Sequence, residues 1–308
     1  MKLLHVAVAV IRDAQGRILI AQRAQHQHQG GLWEFPGGKV EAGETLEQAL
    51  GRELEEELGI QVKAAQPLIQ VPFHYPDRHV LLDVWQVLSF SGSAQGREGQ
   101  PIRWVSPDQL NTYAFPAANR PIVTAVQLPQ RLLITPSNVE TVPEQVQKAL
   151  QQGVRWVILR GHQLSDAEYR DLYQVLLPSC QAAGACLAVN HSLQMAESLC
   201  AEAWHLTSWR LAELTQSAQF SGRWISASCH SPEELQLAQA RGCHFALLSP
   251  VAATASHPDT SPLGWPTFQR WVAEAQLPVY ALGGMRLQDC EQAQLAGAQG
   301  IAAISAWR

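Results

Sequence analysis

At 308 residues the chain is about twice the size of a typical domain, so two domains are expected. Its 46% hydrophobic and 16% charged residues exclude a disordered chain. A net charge of −5, with neither half basic, excludes a non-specific nucleic-acid binder held by phosphate neutralisation. Lys2 to Ile11 has the outline of a signal peptide. Arg12 and Asp13 follow at once, however, and Arg17 to Arg23 resumes an apolar strand pattern, so a β-hairpin is expected rather than a cleaved leader. No apolar run reaches bilayer length. The six cysteines (Cys180, Cys186, Cys200, Cys229, Cys243, Cys290) all fall in the second half with no Cys-x-x-Cys pair, and read as buried, reduced thiols. The expectation is a soluble cytoplasmic protein with neither a nucleic-acid nor a membrane partner.

In chain order, strands are predicted at Leu4–Ile11, Arg17–Gln22, Val80–Phe90 and Ile102–Val105, the last two separated by a Gly/Ser/Gln-rich loop. A helix is announced by Thr45 with Gln48 three residues on, a capping-box pattern, and closed by Gly59. A second helix is expected around Ala117–Gln127, and Pro129 marks a boundary. From Leu132 short apolar strands alternate with helical stretches: Leu132–Thr135, Arg155–Leu159, Cys186–Asn190, Ala203–Leu206, Trp224–Ala227, Phe245–Leu248, Val279–Leu282 and Gly300–Ile304. Eight such units predict a compact closed (β/α)8 barrel of the TIM type, with an open doubly wound sheet as the alternative. Only three residues follow Ser305, so no helix is expected after the eighth strand.

The first half carries a concentrated chemical signal. Glu53, Glu56 and Glu57 share one face of the predicted helix, while Glu55 points away. Carboxylates crowded in this way repel unless a cation lies among them, and an all-oxygen donor set suits a hard cation, Mg²⁺ or alternatively Mn²⁺. Upstream, Pro36-Gly37-Gly38 gives a loop whose backbone can approach a phosphate closely. The complete spacing is Gly38, five residues, Glu44, seven residues, then Arg52-Glu-Leu-Glu-Glu-Glu-Leu-Gly-Ile60. It matches the Nudix box position by position, and the segment is identified as that of a Nudix hydrolase. This resemblance implies an α/β/α sandwich over residues 1–128 that hydrolyses a nucleoside diphosphate linked to another group. It gives Glu53, Glu56 and Glu57 metal-binding and catalytic roles, with Arg52 and Glu44 supporting the loop–helix geometry.

The likeness extends to MutT-type members, which act on 8-oxo-dGTP, through Glu34-Phe-Pro-Gly-Gly38, Pro76-Asp-Arg-His79, Arg97–Pro101 and Pro116-Ala-Ala-Asn119. It implies that Gly37 and Glu98 join the metal site. It also implies that Arg23, His28, Phe35, Gly37, Gly38, Arg78 and Asn119 contact the nucleotide, and that a metal-activated water attacks the β-phosphorus with Glu53 as its base. Tyr75 stands where the family shows an aromatic residue. The chemistry of the base favours Asn119: 8-oxoguanine carries hydrogen on N7, so an amide carbonyl can accept from N7–H while the amide NH₂ donates to O6. Normal guanine would place an acceptor against that carbonyl. A broader hydrolase of nucleoside diphosphates linked to another group (nucleotide sugars or nucleoside triphosphates), or a phosphate-ligand sensor whose barrel regulates the first domain, are the alternatives.

Residues 131–308 resemble thiamine phosphate synthase and the related thiazole tautomerase. The resemblance rests on Leu133-Ile-Thr135, Leu159-Arg160, Val189-Asn190, His205-Leu206, Ser228-Cys-His230-Ser-Pro-Glu-Glu, Ser249-Pro-Val251, Leu282-Gly-Gly284 and Ile304-Ser305. It implies a phosphate ligand near Arg160, Gly283, Gly284 and Ser305, and an acid–base role for His230. Departures accompany it. Ile158 and His162 replace Gln and Lys, His191 and Trp209 or Arg210 replace the metal aspartates, a lysine-rich loop reads Thr254-Ala-Ser-His257, and no lysine follows Lys148. A diphosphate leaving group needs such charges, so a degenerate barrel is expected.

Overall fold

A computed structural model describes residues 3–26, 29–75, 78–217, 219–254 and 261–307. His28, Pro76, Asp77, Ala255, Ser256 and His257, named above, lie outside the described residues. The chain divides into two compact units, Met1–Leu128 and Pro129–Arg308.

In the first unit, β1 (Leu3–Ile11), β2 (Ile18–Gln22), β3 (Trp33–Glu34) and β4 (Gly37–Lys39) precede α1 (Leu46–Leu58). β5 (Gln61–His74), β6 (His79–Ser91), β7 (Ile102–Val105) and α2 (Arg120–Gln127) follow. One sheet has the order β4-β1-β6-β5 and the other β3-β2-β7. The period-2 alternation of β1 decides the layering. Ala7, Ala9 and Ile11 pack with Leu50, Leu54 and Leu58 of α1, while Val8 and Val10 pack with Ile122 and Val126 of α2. The expected α/β/α sandwich follows from this.

The expected hairpin is corrected in one respect. The turn forms, with the Asp13 carboxylate accepting from the Gln15 and Arg17 amides at 3.0 and 2.8 Å, and Arg12 bridges Ile18. The strands then part into different sheets. All nine residues of β1 pair in parallel with β6, from Leu3 opposite His79 to Ile11 opposite Val87, and β2 takes β7 as its partner.

The second unit is a closed barrel. Its strands are β8 (Arg131–Ile134), β9 (Trp156–Arg160), β10 (Cys186–Asn190), β11 (Ala203–Leu206), β12 (Trp224–Cys229), β13 (Phe245–Leu248), β14 (Val279–Leu282) and β15 (Gly300–Ala303). Between them lie α3 (Val142–Gln151), α4 (Asp166–Ala182), α5 (Leu193–Ser198), α6 (Ser208–Glu213), α7 (Pro232–Ala240), α8 (Gly264–Val272) and α9 (Asp289–Leu295). Every pairing is parallel, and β15 closes on β8. Alternate residues face outward to the helices, among them Leu133, Val157, Leu187 and Val189. The inward set is layered. At the N-terminal end, Trp156 meets Phe245 across the barrel, ring centroids 5.2 Å apart, and Trp224 and Tyr280 join this aromatic floor.

Four of the cysteines are buried as expected (Cys180, Cys229, Cys243 and Cys290), and all six are free thiols. Two depart from the expectation: Cys186, at the start of β10, is half-buried, and Cys200, in the turn after α5, is exposed. Among the described residues no helix is long and apolar enough to cross a membrane.

Candidate functional site

The first site is built on the N-terminal end of β4 and the inner face of α1. α1 starts at Thr45, whose hydroxyl accepts from the Gln48 amide while Gln48 reaches back to the Thr45 amide. Burial of Ala49, Leu50, Leu54 and Leu58 fixes the helix rotation and brings Glu53 and Glu57 beside the Gly37–Gly38 strand. The approach is close, and at Gly37, with a φ of 142° and backbone beside it, only glycine fits without strain. A Cβ on Gly38 would lie 2.1 Å from the Glu53 carboxyl carbon, and one on Gly37 would lie 2.1 Å from the Ala7 carbonyl oxygen. The Glu57 carboxylate accepts from the Gly37 amide at 3.2 Å.

Arg52 ties the motif together. It donates twice to Glu44, at 2.7 and 3.0 Å, and also to Glu53 at 2.9 Å and to the Lys39 carbonyl at 3.0 Å. The Arg52 hydrogen bonds hold the Glu44 carboxyl down at about 2. A bidentate fork of this kind fixes both partners.

A cavity of about 440 Å³ opens here, lined by Arg23, Glu34, Phe35, Gly37, Gly38, Glu53, Glu57, Tyr75, Arg78 and Asn119 among others. An adjoining cavity of about 140 Å³ joins Glu57 to Glu98, with Arg23 and Glu34 lining both. The loop bearing Glu98 is bonded to the C-terminal end of α1: the Arg97 amide and the Gln100 side chain donate to the Glu57 carbonyl at 2.9 and 3.0 Å. Glu56 stands apart from the cavities. Its side chain is 59% exposed, with Arg52 3.4 Å away. Phe35 is both core and cavity wall, stacked on Phe115 at 5.5 Å. Asn119 sits just before α2, and its side chain makes no capping hydrogen bond. Glu34, ion-paired to Arg23, lines both cavities, although the sequence motif that contains it carried no role for it. Its signal was a carboxylate directly before Phe-Pro-Gly-Gly.

Among the described residues no three His, Cys, Asp or Glu side chains converge tightly enough to hold a metal unaided. The chemistry of the donors nevertheless fits a divalent cation. Burial, then the charges of Glu34, Glu53 and Glu98, push Glu57 up to about 8, against the lowering effect of the Gly37 amide. The residues nearest the glycine strand thus form a partly desolvated, oxygen-only set with excess negative charge.

The second site lies at the C-terminal mouth of the barrel, a cavity of about 600 Å³. Arg160, His230 and Gly283 line it, as do the substituted positions Ile158, His162, His191, Trp209 and Arg210. Gly284 and Ser305 are exposed and do not line it. Tyr169 of α4 links two strands beneath the rim, donating to the Leu159 carbonyl at 2.7 Å and accepting from the Asn190 amide at 3.0 Å. Below His191, Trp204 donates to its carbonyl at 2.9 Å. Ser231 caps α7, while His230 Nδ1 donates to the Ser249 carbonyl at 2.9 Å.

Two family models match the chain: a NUDIX domain over residues 7–125 and thiamine monophosphate synthase over residues 132–307. An 8-oxo-dGTP diphosphatase of Escherichia coli (strain K12) is 42% identical over 127 residues, 41% of this chain and 98% of the relative. A CTP pyrophosphohydrolase of the same organism is 40% identical over 125 residues, 41% of this chain and 92% of the relative. A putative thiamine-phosphate synthase 2 of Aquifex aeolicus (strain VF5) is 31% identical over 182 residues, 58% of this chain and 98% of the relative. Nudix hydrolases generally use divalent cations, and a small nucleotide fits such a site. The chain belongs to the Nudix family through its first part and to the thiamine monophosphate synthase family through its second.

Proposed function

We propose that residues 1–128 form an Mg²⁺-dependent hydrolase domain that converts 8-oxo-dGTP to 8-oxo-dGMP and pyrophosphate. Residues 131–308 form a second domain that binds a phosphate ligand and has lost synthase chemistry. The observation that carries the first part is a single cavity with Glu53 and Glu57 at one side and Asn119 at another. Glu53, Glu56, Glu57 and Glu98, with the Gly37 carbonyl, would hold the cation, which supplies charge neutralisation for the polyphosphate when bound. Glu53 removes the proton of the attacking water. Arg52 keeps that carboxylate oriented. Arg23 and Arg78 pair with phosphate oxygens, Phe35 and the Gly37–Gly38 backbone shape the nucleotide pocket, and Asn119 reads the N7 and O6 edge of the base.

The reading places the protein in the cytoplasm, acting on free nucleotide rather than on nucleic acid or membrane. The net charge of −5 supports free nucleotide over nucleic acid as the substrate. The 40% identity to a CTP pyrophosphohydrolase favours one second reading, a broader nucleoside-triphosphate specificity. Steady-state kcat/KM for 8-oxo-dGTP against dGTP, CTP and dCTP tests the choice: 8-oxo-dGTP is expected to lead, and a CTP preference overturns the assignment. Glu53→Gln should lower turnover by orders of magnitude at unchanged folding. Retained activity would remove Glu53 from the chemistry.

A further inference from the structure

Charge is distributed unusually at the barrel mouth. Among the described residues its lining holds two arginines, Arg160 and Arg210, and four histidines, but no carboxylate. Among the described residues two acids touch lining residues, and both are engaged. Asp166, largely exposed, lies 3.6 Å from His191 Nε2, and Glu234 accepts from the His230 amide at 2.6 Å. Neither arginine has a salt bridge among the described residues. Arg160 is partly buried and donates to the neutral Ser137 hydroxyl at 2.8 Å. Arg210 lies over the Trp209 ring, 4.3 Å from its centroid, which holds the guanidinium without cancelling its charge.

The surrounding field agrees. Burial lowers the Arg160 pKa with no opposing charge to offset it. The His162 pKa is lowered by burial and then by Arg160, Arg210 and His191. Partly desolvated positive charge without a counter-charge is costly, and an anion relieves that cost. A divalent cation would add to it, and hard cations favour anionic oxygen ligands, of which the described lining residues supply none. The cavity is far larger than one phosphate, and Ile134, Ile158, Leu282 and Ile304 give it an apolar lining.

We propose that the barrel mouth binds a phosphate or diphosphate group by direct ion pairing to Arg160 and Arg210, without a divalent cation. This rests on the phosphate-ligand reading above and removes from it the metal that the synthase resemblance implies. Guanidinium forks match phosphoryl oxygens in pairs, so the two arginines do work that a bridging cation would otherwise do. The organic part of a phosphate ester would lie against the apolar lining.

Calorimetric titration of the full chain with inorganic pyrophosphate tests this, in EDTA and in Mg²⁺, on the wild type and on Arg210→Gln. Arg210 is a partly exposed helix residue, so the variant should keep its fold, checked by circular dichroism. The comparison also separates the mouth from the first unit, because only binding that changes in Arg210→Gln belongs to the barrel. Saturable binding in EDTA, weakened at least ~10-fold by Arg210→Gln (about 1.4 kcal/mol), is the expected result. Arg210-sensitive binding that requires Mg²⁺ overturns metal independence and leaves the phosphate site standing. No Arg210-sensitive binding in either buffer overturns both.

Discussion

Asn119 precedes α2 with its side-chain amide outside the capping network, and it lines the same cavity as Glu53 and Glu57. An amide so placed can present its carbonyl to a base edge. Asn119→Ala should therefore cut the preference for 8-oxo-dGTP over dGTP by at least ~10-fold, since each decade is about 1.4 kcal/mol. Paired kcat/KM values for the two nucleotides decide it, and an unchanged ratio moves base recognition elsewhere. A different residue contributes to acid sensitivity. His205 is fully buried between the Ser226 and Ser228 hydroxyls at 2.8 and 2.9 Å, and burial pushes its imidazole down to about 3. The folded value thus lies below the unfolded one, so between about 3 and 6.5 the unfolded chain binds the extra proton. Stability is retained above that window. As pH falls through it, stability is lost at up to about 1.4 kcal/mol per unit from this group. Urea midpoints between neutral and mildly acid pH should show the slope, and His205→Gln should flatten it. Equal slopes in the two proteins would contradict the assignment.

At the scale of elements, the legible features were those whose signal is local. α1 was readable from Thr45, Gln48 and Gly59 because caps are chemical, and the eight barrel strands were readable because each is a short apolar run bounded by turns. β5 was not readable. It carries Pro67, Pro72 and Lys63, which argue against a strand, yet it runs fourteen residues. The structure supplies the reason: β5 is an edge strand paired only with β6, and its register slips between Val62 and Ala65 and again between Pro67 and Ile69. Prolines are tolerated at edges and bulges. β4 was hidden for a similar reason, since Gly37–Gly38 reads as loop and becomes strand only through β1. The exposure of Glu56 was also illegible, because periodicity gives a shared helix face but not which members the glycine strand covers. The Gly37–Gly38 pair makes a sharp contrast. At Gly38 an added Cβ meets the movable end of Glu53, whereas at Gly37 it meets backbone at a φ of 142°. Gly38→Ala should therefore lower turnover while leaving the melting temperature nearly unchanged. Gly37→Ala should lower both, by more than about 1 kcal/mol in stability. Similar melting temperatures for the two variants would show that the backbone approach is not limiting.

At the scale of the whole molecule, the two units carry opposite electrostatic designs. The first gathers carboxylates around a glycine strand, and the second gathers guanidinium and imidazole groups around an apolar-lined mouth. Condensing a pyrimidine diphosphate with a thiazole phosphate requires stabilisation of a departing diphosphate, and among the described residues the lining of the mouth holds no carboxylate to bring Mg²⁺ to it. The full protein, given both substrates and Mg²⁺, should form no thiamine phosphate; a measurable rate of product formation would refute the claim of lost synthase chemistry.

The aromatic floor of Trp156, Trp224, Phe245 and Tyr280 has a kinetic consequence. Its packed rings occupy the end of the barrel opposite the mouth, and no aromatic ring of this cluster lines the cavity there, so a ligand would reach that cavity from the mouth side. A ligand that enters must back out along the same path before another can take its place. Exchange between two occupants therefore proceeds by complete departure of one before the other settles. Traffic through the chamber is set by the residence time of the molecule already inside, however abundant the newcomer is.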